Sequence, residues 1–211
     1  MKTPPAAETP SRNRGKSEQK RQQILESAST LFLIDGFEGV SMDAVAKSAD
    51  VSKQTVYSHF GSKEELFTAV IGCACEQHAL TDQLFDPEQP VEIVLLELAT
   101  HFTDLLFSDQ AVRLHRLCVA SSDQRSSIGQ LFWEAGPIKL RAKLTKYLTQ
   151  QVERNALNIP DIEFAAQQFI FMLKGEYYHR RILGIDESDS QEKLPSYLKS
   201  CVSLFINAHK K

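Results

Sequence analysis

Two short helical segments separated by only three residues are the feature that most restricts how this chain can fold. Ser41 is placed to cap a helix that runs to about Ala49, and Ser52 to cap another that runs to about Phe60. The intervening residues, which begin at Asp50, leave room only for a tight turn between crossing helices. The spacing of the apolar side chains predicts a small core shared by both helices: Val45, Ala49, Val51, Val56 and Phe60.

Helical spacing continues on both sides of this pair, and no stretch alternates as a strand would. An apolar stripe from Ile24 to Phe32 predicts a first helix, which Gly36 is suited to end. Ser62 and Glu65 have the spacing of a capping box that opens a fourth helix running to about His78.

The C-terminal part of the sequence predicts six further helices. Gly136-Pro137 is expected to divide the third of them from the fourth, and Asp161 to cap the fifth. Their predicted ranges are about 91–107, 110–121, 125–135, 137–155, 161–183 and 190–209. We therefore expect an all-α protein of about nine to ten helices.

Composition shifts along the chain predict three regions. Residues 1–16 are rich in proline and basic side chains and predict a disordered basic arm, in which Arg12, Arg14 and Lys16 would enter a minor groove or remain solvated. Residues 17–62 form a small helical domain, and residues 63–211 form a larger one.

Composition also narrows the class of protein. Of the 211 residues, 42% are hydrophobic and 24% charged, and no apolar run has the length of a membrane span, so we expect a soluble, cytoplasmic protein without a secretory signal. Cys73 and Cys75 would point to different sides of a helix, and Cys75 with His78 supplies only two ligands. We expect no metal, no cofactor and, since no catalytic motif is present, no enzyme.

The outward side of the second short helix carries polar side chains that can reach base edges and phosphates in a major groove. They are Lys53, Gln54, Thr55, Ser58 and His59. The alternative is that any short helix in a bundle carries polar residues outside. A net charge of −3 excludes neither, because a few well-placed cations suffice for DNA binding.

The stretch from Arg21 to Val70 resembles the DNA-binding domain of the TetR family of bacterial transcriptional regulators. The resemblance is carried by Ile24-Leu25, Ala28, Leu31-Phe32, Gly36-Phe37, Ala46, Val51-Ser52, Thr55-Val56-Tyr57, His59-Phe60 and Ser62 to Leu66. The remainder is similar in helix number and length to the family's C-terminal domain. The run Phe132 to Pro137, with Leu183-Gly184, is similar to the AefR-like subgroup.

This resemblance implies roles for individual residues. Lys53 and Gln54 match positions that read bases, and Ser58 lies in the same recognition helix. The positions that match phosphate contacts are Ser41, Thr55, Tyr57, His59 and Lys63. Packing of the Tyr57 ring and helix capping by His59 remain the alternatives.

Two departures from the family pattern bear on these roles. Asp50 stands where the family usually has glycine in the turn, so we expect a positive φ that aspartate tolerates. Gln54 replaces a frequent glycine and can pair with adenine edges, so the family does not supply the operator sequence.

The resemblance further implies a repressor that binds a palindromic double-stranded DNA operator as a homodimer and is released by a small, largely apolar effector. The candidate lining of an effector pocket, for which a plain packed core is the alternative, is Phe102, Leu106, Leu114, Leu117, Phe132, Trp133, Phe169, Met172 and Glu176. The candidate dimer interface is Phe171, Tyr178, Leu194, Tyr197, Leu198, Cys201, Val202 and Phe205. A helical interaction module that binds DNA or protein without regulating transcription is the competing hypothesis.

Overall fold

The computed structural model describes residues 12–122, 127–185 and 190–210, and within these ranges it contains helices and no strand. The α-helices are α1 Arg12–Gly39, α2 Met42–Ser48, α3 Lys53–Phe60, α4 Lys63–Gln77, α5 Val91–Phe107, α6 Asp109–Ala120, α7 Ile128–Trp133, α8 Lys139–Glu153, α9 Ile162–Leu183 and α10 Ser190–His209. A 3-10 turn spans Asp82–Leu84, and a π-helical segment spans Glu134–Ile138. The all-helical prediction is confirmed.

The chain divides into two compact units, Met1–Val70 and Ile71–Lys211. The division falls within α4, whereas the sequence placed it just ahead of that helix. Among the described helices, none combines the length and the apolar character that crossing a membrane requires.

The first helix begins at Arg12, inside the segment expected to form the disordered arm. Pro10 is the last proline of that segment, and the arginine, lysine, glutamate and glutamine residues that follow are good helix formers. Residues 1–11, the rest of the predicted arm, lie outside the described residues. At the other end of α1, Gly36 has φ 72° and ψ 169° and breaks the helix where the sequence predicted its stop.

Three phenylalanine rings form the centre of the N-terminal unit. Phe32, Phe37 and Phe67 are buried, and their ring centroids lie 5.3 to 5.7 Å apart. Of the stripe predicted on α1, Ile24, Leu25, Ala28 and Phe32 are buried with them, and Leu31 is half-buried. These ring contacts join α1 to α4, and α1 also packs against α2.

The core of the C-terminal unit is formed by α5, α8, α9 and α10. Phe169 of α9 packs edge-on against Phe205 of α10, with 4.9 Å between ring centroids. The side chains that are fully enclosed here include Leu95, Leu98, Leu144, Tyr147, Leu148 and Leu173.

The predicted break at Gly136-Pro137 is wrong. The chain stays helical from α7 into α8 through the π-helical segment, which contains Pro137. Proline lacks an N–H, and its ring clashes with a carbonyl in a regular α-helix. The wider π turn accommodates both defects and keeps the helical path.

Candidate nucleic-acid interface

Side-chain caps define the start of both short helices. The Ser41 hydroxyl oxygen accepts from the Ala44 amide at 3.1 Å, and the Ser52 hydroxyl oxygen accepts from the Thr55 amide at 3.1 Å. Both predicted N-caps are confirmed. Each cap satisfies an otherwise orphaned amide and so fixes the residue at which its helix begins.

The turn between α2 and α3 has the predicted left-handed residue. Asp50 has φ 52°, which confirms the expectation that it takes a glycine-like conformation. The Val51 amide donates to the Ala46 carbonyl at 3.0 Å and closes the turn, and Ala46 is buried. A larger side chain at Ala46 would push the crossing helices apart.

One side of α3 is anchored in the core and the other is open. Val56 and Phe60 are buried, and the Arg21 guanidinium of α1 lies 5.4 Å from the centre of the Phe60 ring. The predicted contact residues form the open side: Lys53, Gln54, Tyr57 and Ser58 are exposed, and Thr55 and His59 are half-buried. The side chains predicted to touch DNA are therefore carried by a helix that packing holds in place.

Two of the predicted contact hydroxyls already bond within the helix. The Ser58 hydroxyl donates to the Thr55 carbonyl at 2.8 Å, and the Thr55 and Ser52 hydroxyls lie 2.8 Å apart. Ser41 accepts at its cap, which leaves its own O–H proton to donate outward. DNA contacts by these hydroxyls stay predictions.

Lys53 is held by a carboxylate that the sequence analysis did not single out. Its ammonium lies 2.8 Å and 3.0 Å from the two carboxylate oxygens of Asp43 in α2, and 5.8 Å from the centre of the Tyr57 ring. The hydrogen bond and the charge of Asp43 raise the pKa of Lys53. Asp43 and Lys53 belong to different helices, so no helical spacing signals the pair.

The Lys63 side chain makes contacts within the protein, whereas its phosphate contact stays a prediction. Its ammonium donates to the Phe37 carbonyl at 2.8 Å and lies 4.5 Å from the centre of the Phe37 ring. Glu38 is 4.0 Å away. The ammonium therefore satisfies a carbonyl just beyond the break at Gly36 in α1.

One of the two reciprocal hydrogen bonds of the predicted capping box at the start of α4 is confirmed. The Glu65 amide donates to the Ser62 hydroxyl oxygen at 3.1 Å. The Ser62 amide donates to the Phe60 carbonyl at 2.6 Å. This fixes the path of the chain between α3 and α4.

The residues predicted to line an effector pocket do not share one environment. Phe102 is buried, and Phe169 is enclosed in the main core against Phe205. Trp133 is exposed, and Glu176 is an exposed residue that pairs with Arg180 at 3.6 Å. The half-buried members of the set are Leu106, Leu114, Leu117, Phe132 and Met172.

A polar pair surrounded by rings joins α6, α7 and α9. The Tyr178 hydroxyl lies 2.5 Å from His115 Nδ1, and the His115 ring stacks on Phe132 at 5.9 Å. The Lys174 ammonium is 5.4 Å from the centre of the Tyr178 ring. Burial raises the pKa of Tyr178 to about 12, and burial together with Lys174 lowers the pKa of His115. We call His115, Phe132, Lys174 and Tyr178 the His115 cluster.

Most residues of the predicted dimer interface are buried within the single chain, which corrects that expectation. The buried members are Tyr178, Leu198, Cys201, Val202 and Phe205. Leu194 and Tyr197 are half-buried against the same core. The apolar residues of α10 that were predicted to form the interface pack instead against α5 and α9 of the same chain. They cover the apolar sides of those two helices. Of the predicted interface, Phe171 is half-exposed at 50%.

Other apolar side chains on α9 and α10 are exposed to solvent. Phe164 and Leu204 are each 62% exposed, and Leu183 is 73% exposed. Leu204 lies outside the candidate dimer interface named from the sequence, because periodicity alone does not tell which side of α10 faces inward.

Each of the two compact units contains a match to a known protein-family model. Residues 24–70 match the family model described as bacterial regulatory proteins, tetR family. Residues 93–211 match the model described as AefR-like transcriptional repressor, C-terminal domain. The second match covers more than half of the chain.

Individual relatives agree with these matches. The HTH-type transcriptional regulator YhgD of Bacillus subtilis is 29% identical over 136 residues, which span 64% of this chain and 68% of YhgD. A structure from Mesorhizobium loti, described as a TetR-family regulator, has a TM-score of 0.72 at 25% identity and covers 93% of this chain and 99% of its own. The flavonoid-responsive regulator FrrA has a TM-score of 0.68 at 28% identity, covering 92% and 98%.

The capped helix pair, the left-handed turn at Asp50 and the open side of α3 all lie within the residues that match the tetR-family model. The chain belongs to the TetR family of bacterial transcriptional regulators and carries an AefR-like C-terminal domain.

Proposed function

We propose that this regulator is a repressor that binds a palindromic operator as a homodimer and leaves it when a small, largely apolar effector binds the C-terminal unit. The observation that carries the proposal is the open side of α3, where Lys53, Gln54 and Tyr57 stand in solvent while Val56 and Phe60 anchor the helix. A rigid helix with an exposed amide and ammonium at its start suits reading in a major groove.

The operator contacts divide into two classes. Lys53 and Gln54 read base edges, since both lie in the first turn of α3 and are exposed. Ser41, Thr55, Tyr57, Ser58, His59 and Lys63 contact the backbone or fix the helix that does. The N-terminus of α2, capped by Ser41, adds free amides and a favourable dipole for a phosphate.

A homodimer supplies the second recognition helix that a palindrome requires. One α3 makes too few contacts for useful affinity, and two copies fit half-sites one helical turn apart. The exposed apolar side chains of α9 and α10, namely Phe164, Phe171, Leu183 and Leu204, support a dimer surface on these helices. This set replaces the buried residues that the sequence suggested.

The effector binds at the His115 cluster of the C-terminal unit. Flat aromatic surfaces and a polar pair at their centre suit a phenolic or other aromatic compound. The likeness to a flavonoid-responsive regulator supports flat polyphenols as the first compounds to test.

Effector response follows from a shift between two conformations. A ligand that lowers DNA affinity about 100-fold must bind the released form about 2.7 kcal/mol more tightly. The helix α4 contains residues of both compact units, so a change in its position reaches both. The proposed result is a dimer whose recognition helices no longer match the groove spacing.

Selection of bound fragments from random DNA tests the proposal directly. The purified protein should enrich a palindrome, and sedimentation should show a dimer both free and bound. Gln54→Ala should relax the sequence preference at one position in each half-site by about 1–3 kcal/mol, while Gln83→Ala on the exposed 3-10 turn should leave it unchanged. Enrichment without any common sequence would favour an interaction module that does not regulate transcription.

A further inference from the structure

Lys53 is not a free cation on the DNA-facing side of α3. Its ammonium lies 2.8 Å and 3.0 Å from the two oxygens of Asp43, and both side chains are more than half exposed. An anion that approaches Lys53 from solvent therefore also approaches a carboxylate. The centre of the Tyr57 ring, one helical turn along α3, lies 5.8 Å from the ammonium.

The Asp43–Lys53 pair has opposite consequences for binding to arbitrary DNA sequences and for reading a particular base. Binding to arbitrary sequences depends on cations that neutralise phosphates and release counterions, and a paired ammonium contributes less to that term. Reading a base needs only one well-aimed donor, and an ammonium has three. A lysine held at the start of α3 can keep its carboxylate partner and still donate to a base acceptor.

We propose that Asp43 is a specificity-determining residue, which holds Lys53 for base reading and suppresses its attraction to arbitrary sequences. This inference rests on the DNA interface proposed above. The carboxylate acts through Lys53, so it is a positioning residue that need not touch DNA itself. An exposed ion pair is weak, so it biases the ammonium without locking it.

Binding of the full-length protein to a short duplex of random sequence tests this without a known operator. Affinity is measured by fluorescence anisotropy over a series of salt concentrations. Asp43→Asn should bind this duplex about 1.4- to fivefold more tightly per protomer, since that is the range of an exposed pair. The slope of log affinity against log salt should steepen by up to about 0.9 per protomer.

A matched control removes an equal charge from the same motif. Asp50→Asn keeps a residue that tolerates φ 52° and changes an exposed carboxylate. It should give a smaller gain than Asp43→Asn and leave the slope unchanged. An equal gain from both variants would mean that net charge alone is responsible and would overturn the proposal.

The Lys53→Met background separates the proposed role from a structural one. If Asp43 acts through Lys53, Asp43→Asn should have no effect in that background, whereas a helix-dipole role would persist. Asp43→Glu should restore wild-type binding. Once an operator is selected, Asp43→Asn should also lower the ratio of operator to random-sequence affinity.

The outcomes distinguish a failure of the role proposed for Asp43 from a failure of the proposed DNA-binding function. A wild-type protein that binds no duplex would overturn both. A wild-type protein that binds duplex DNA, with unchanged or weaker binding by Asp43→Asn, would overturn only the role of Asp43.

Discussion

The hydroxyl of Tyr197 on α10 donates a 2.6 Å hydrogen bond to the carbonyl of Met172 on α9. The partner of this carbonyl in a regular helix would be the amide of Glu176, but the backbone leaves helical geometry at Gly175, with φ 51° and ψ −163°. Tyr197 therefore donates from a neighbouring helix to a carbonyl next to the break, and the Cys201 thiol donates to the same carbonyl at 3.9 Å. This contact joins α10 to the point where α9 changes direction.

Tyr197→Phe should lower the free energy of unfolding by about 0.5–1.5 kcal/mol, because it removes one hydrogen bond to the Met172 carbonyl and leaves only the weaker Cys201 thiol donor. Chemical denaturation followed by circular dichroism measures the change. Tyr177→Phe is the matched control, because the Tyr177 ring lies 5.5 Å from that of Tyr197 in an edge-on contact that the hydroxyl does not make. Equal losses from both variants would contradict the role assigned to the Tyr197 hydroxyl.

Substitution of glycine by alanine should have opposite effects at two helical positions. A Cβ at Gly175 would lie 2.8 Å from the Tyr197 hydroxyl and would force a residue other than glycine into a glycine-only conformation. Gly175→Ala should therefore cost about 2 kcal/mol or more. Gly72 of α4 has open space around its Cβ position, and Gly72→Ala should stabilise by about 0.5–1 kcal/mol. The midpoints of thermal unfolding check both signs, and stabilisation by Gly175→Ala would refute the account of the break.

The His115 cluster should make stability depend on pH. Burial and the charge of Lys174 hold the pKa of His115 below its ordinary 6.5, and burial lowers that of His78 as well. The unfolded chain therefore binds more protons than the folded one as pH falls through about 6.5, and stability falls with it.

His115→Gln, which keeps an acceptor for the Tyr178 hydroxyl, should weaken this dependence when unfolding is measured from about pH 7.5 to about pH 5.5. His179→Gln, at an exposed position, should leave it unchanged. A wild-type pH dependence in His115→Gln would show that His115 does not contribute.

Lys63→Met should reduce the stability of the N-terminal unit as well as DNA affinity. The ammonium donates to the Phe37 carbonyl, and hydrogen bonds of charged groups contribute about 1.5–3 kcal/mol. Lys47→Met, at an exposed position on α2, is the control for loss of a charge. Thermal unfolding should shift for Lys63→Met and not for Lys47→Met. Unchanged unfolding of Lys63→Met would leave phosphate binding as its sole role.

Local chemistry determined the DNA-binding motif to a large extent. Ser41, Ser52 and Asp161 cap the helices that the sequence assigned to them, and Asp50 takes the left-handed conformation expected in the turn. These outcomes depend on neighbours within four residues along the chain. Short-range rules are sufficient for such features.

Tertiary structure decided the relationships between helices. The apolar stripe on α10 that contains Leu198 and Phe205 is clear in the sequence, but its burial against α5 and α9 could not be read from its period. The pairs Asp43–Lys53 and His115–Tyr178 join residues on different helices, 10 and 63 positions apart. Periodicity identifies the sides of a helix, whereas the partner of each side depends on how helices distant in the sequence pack together.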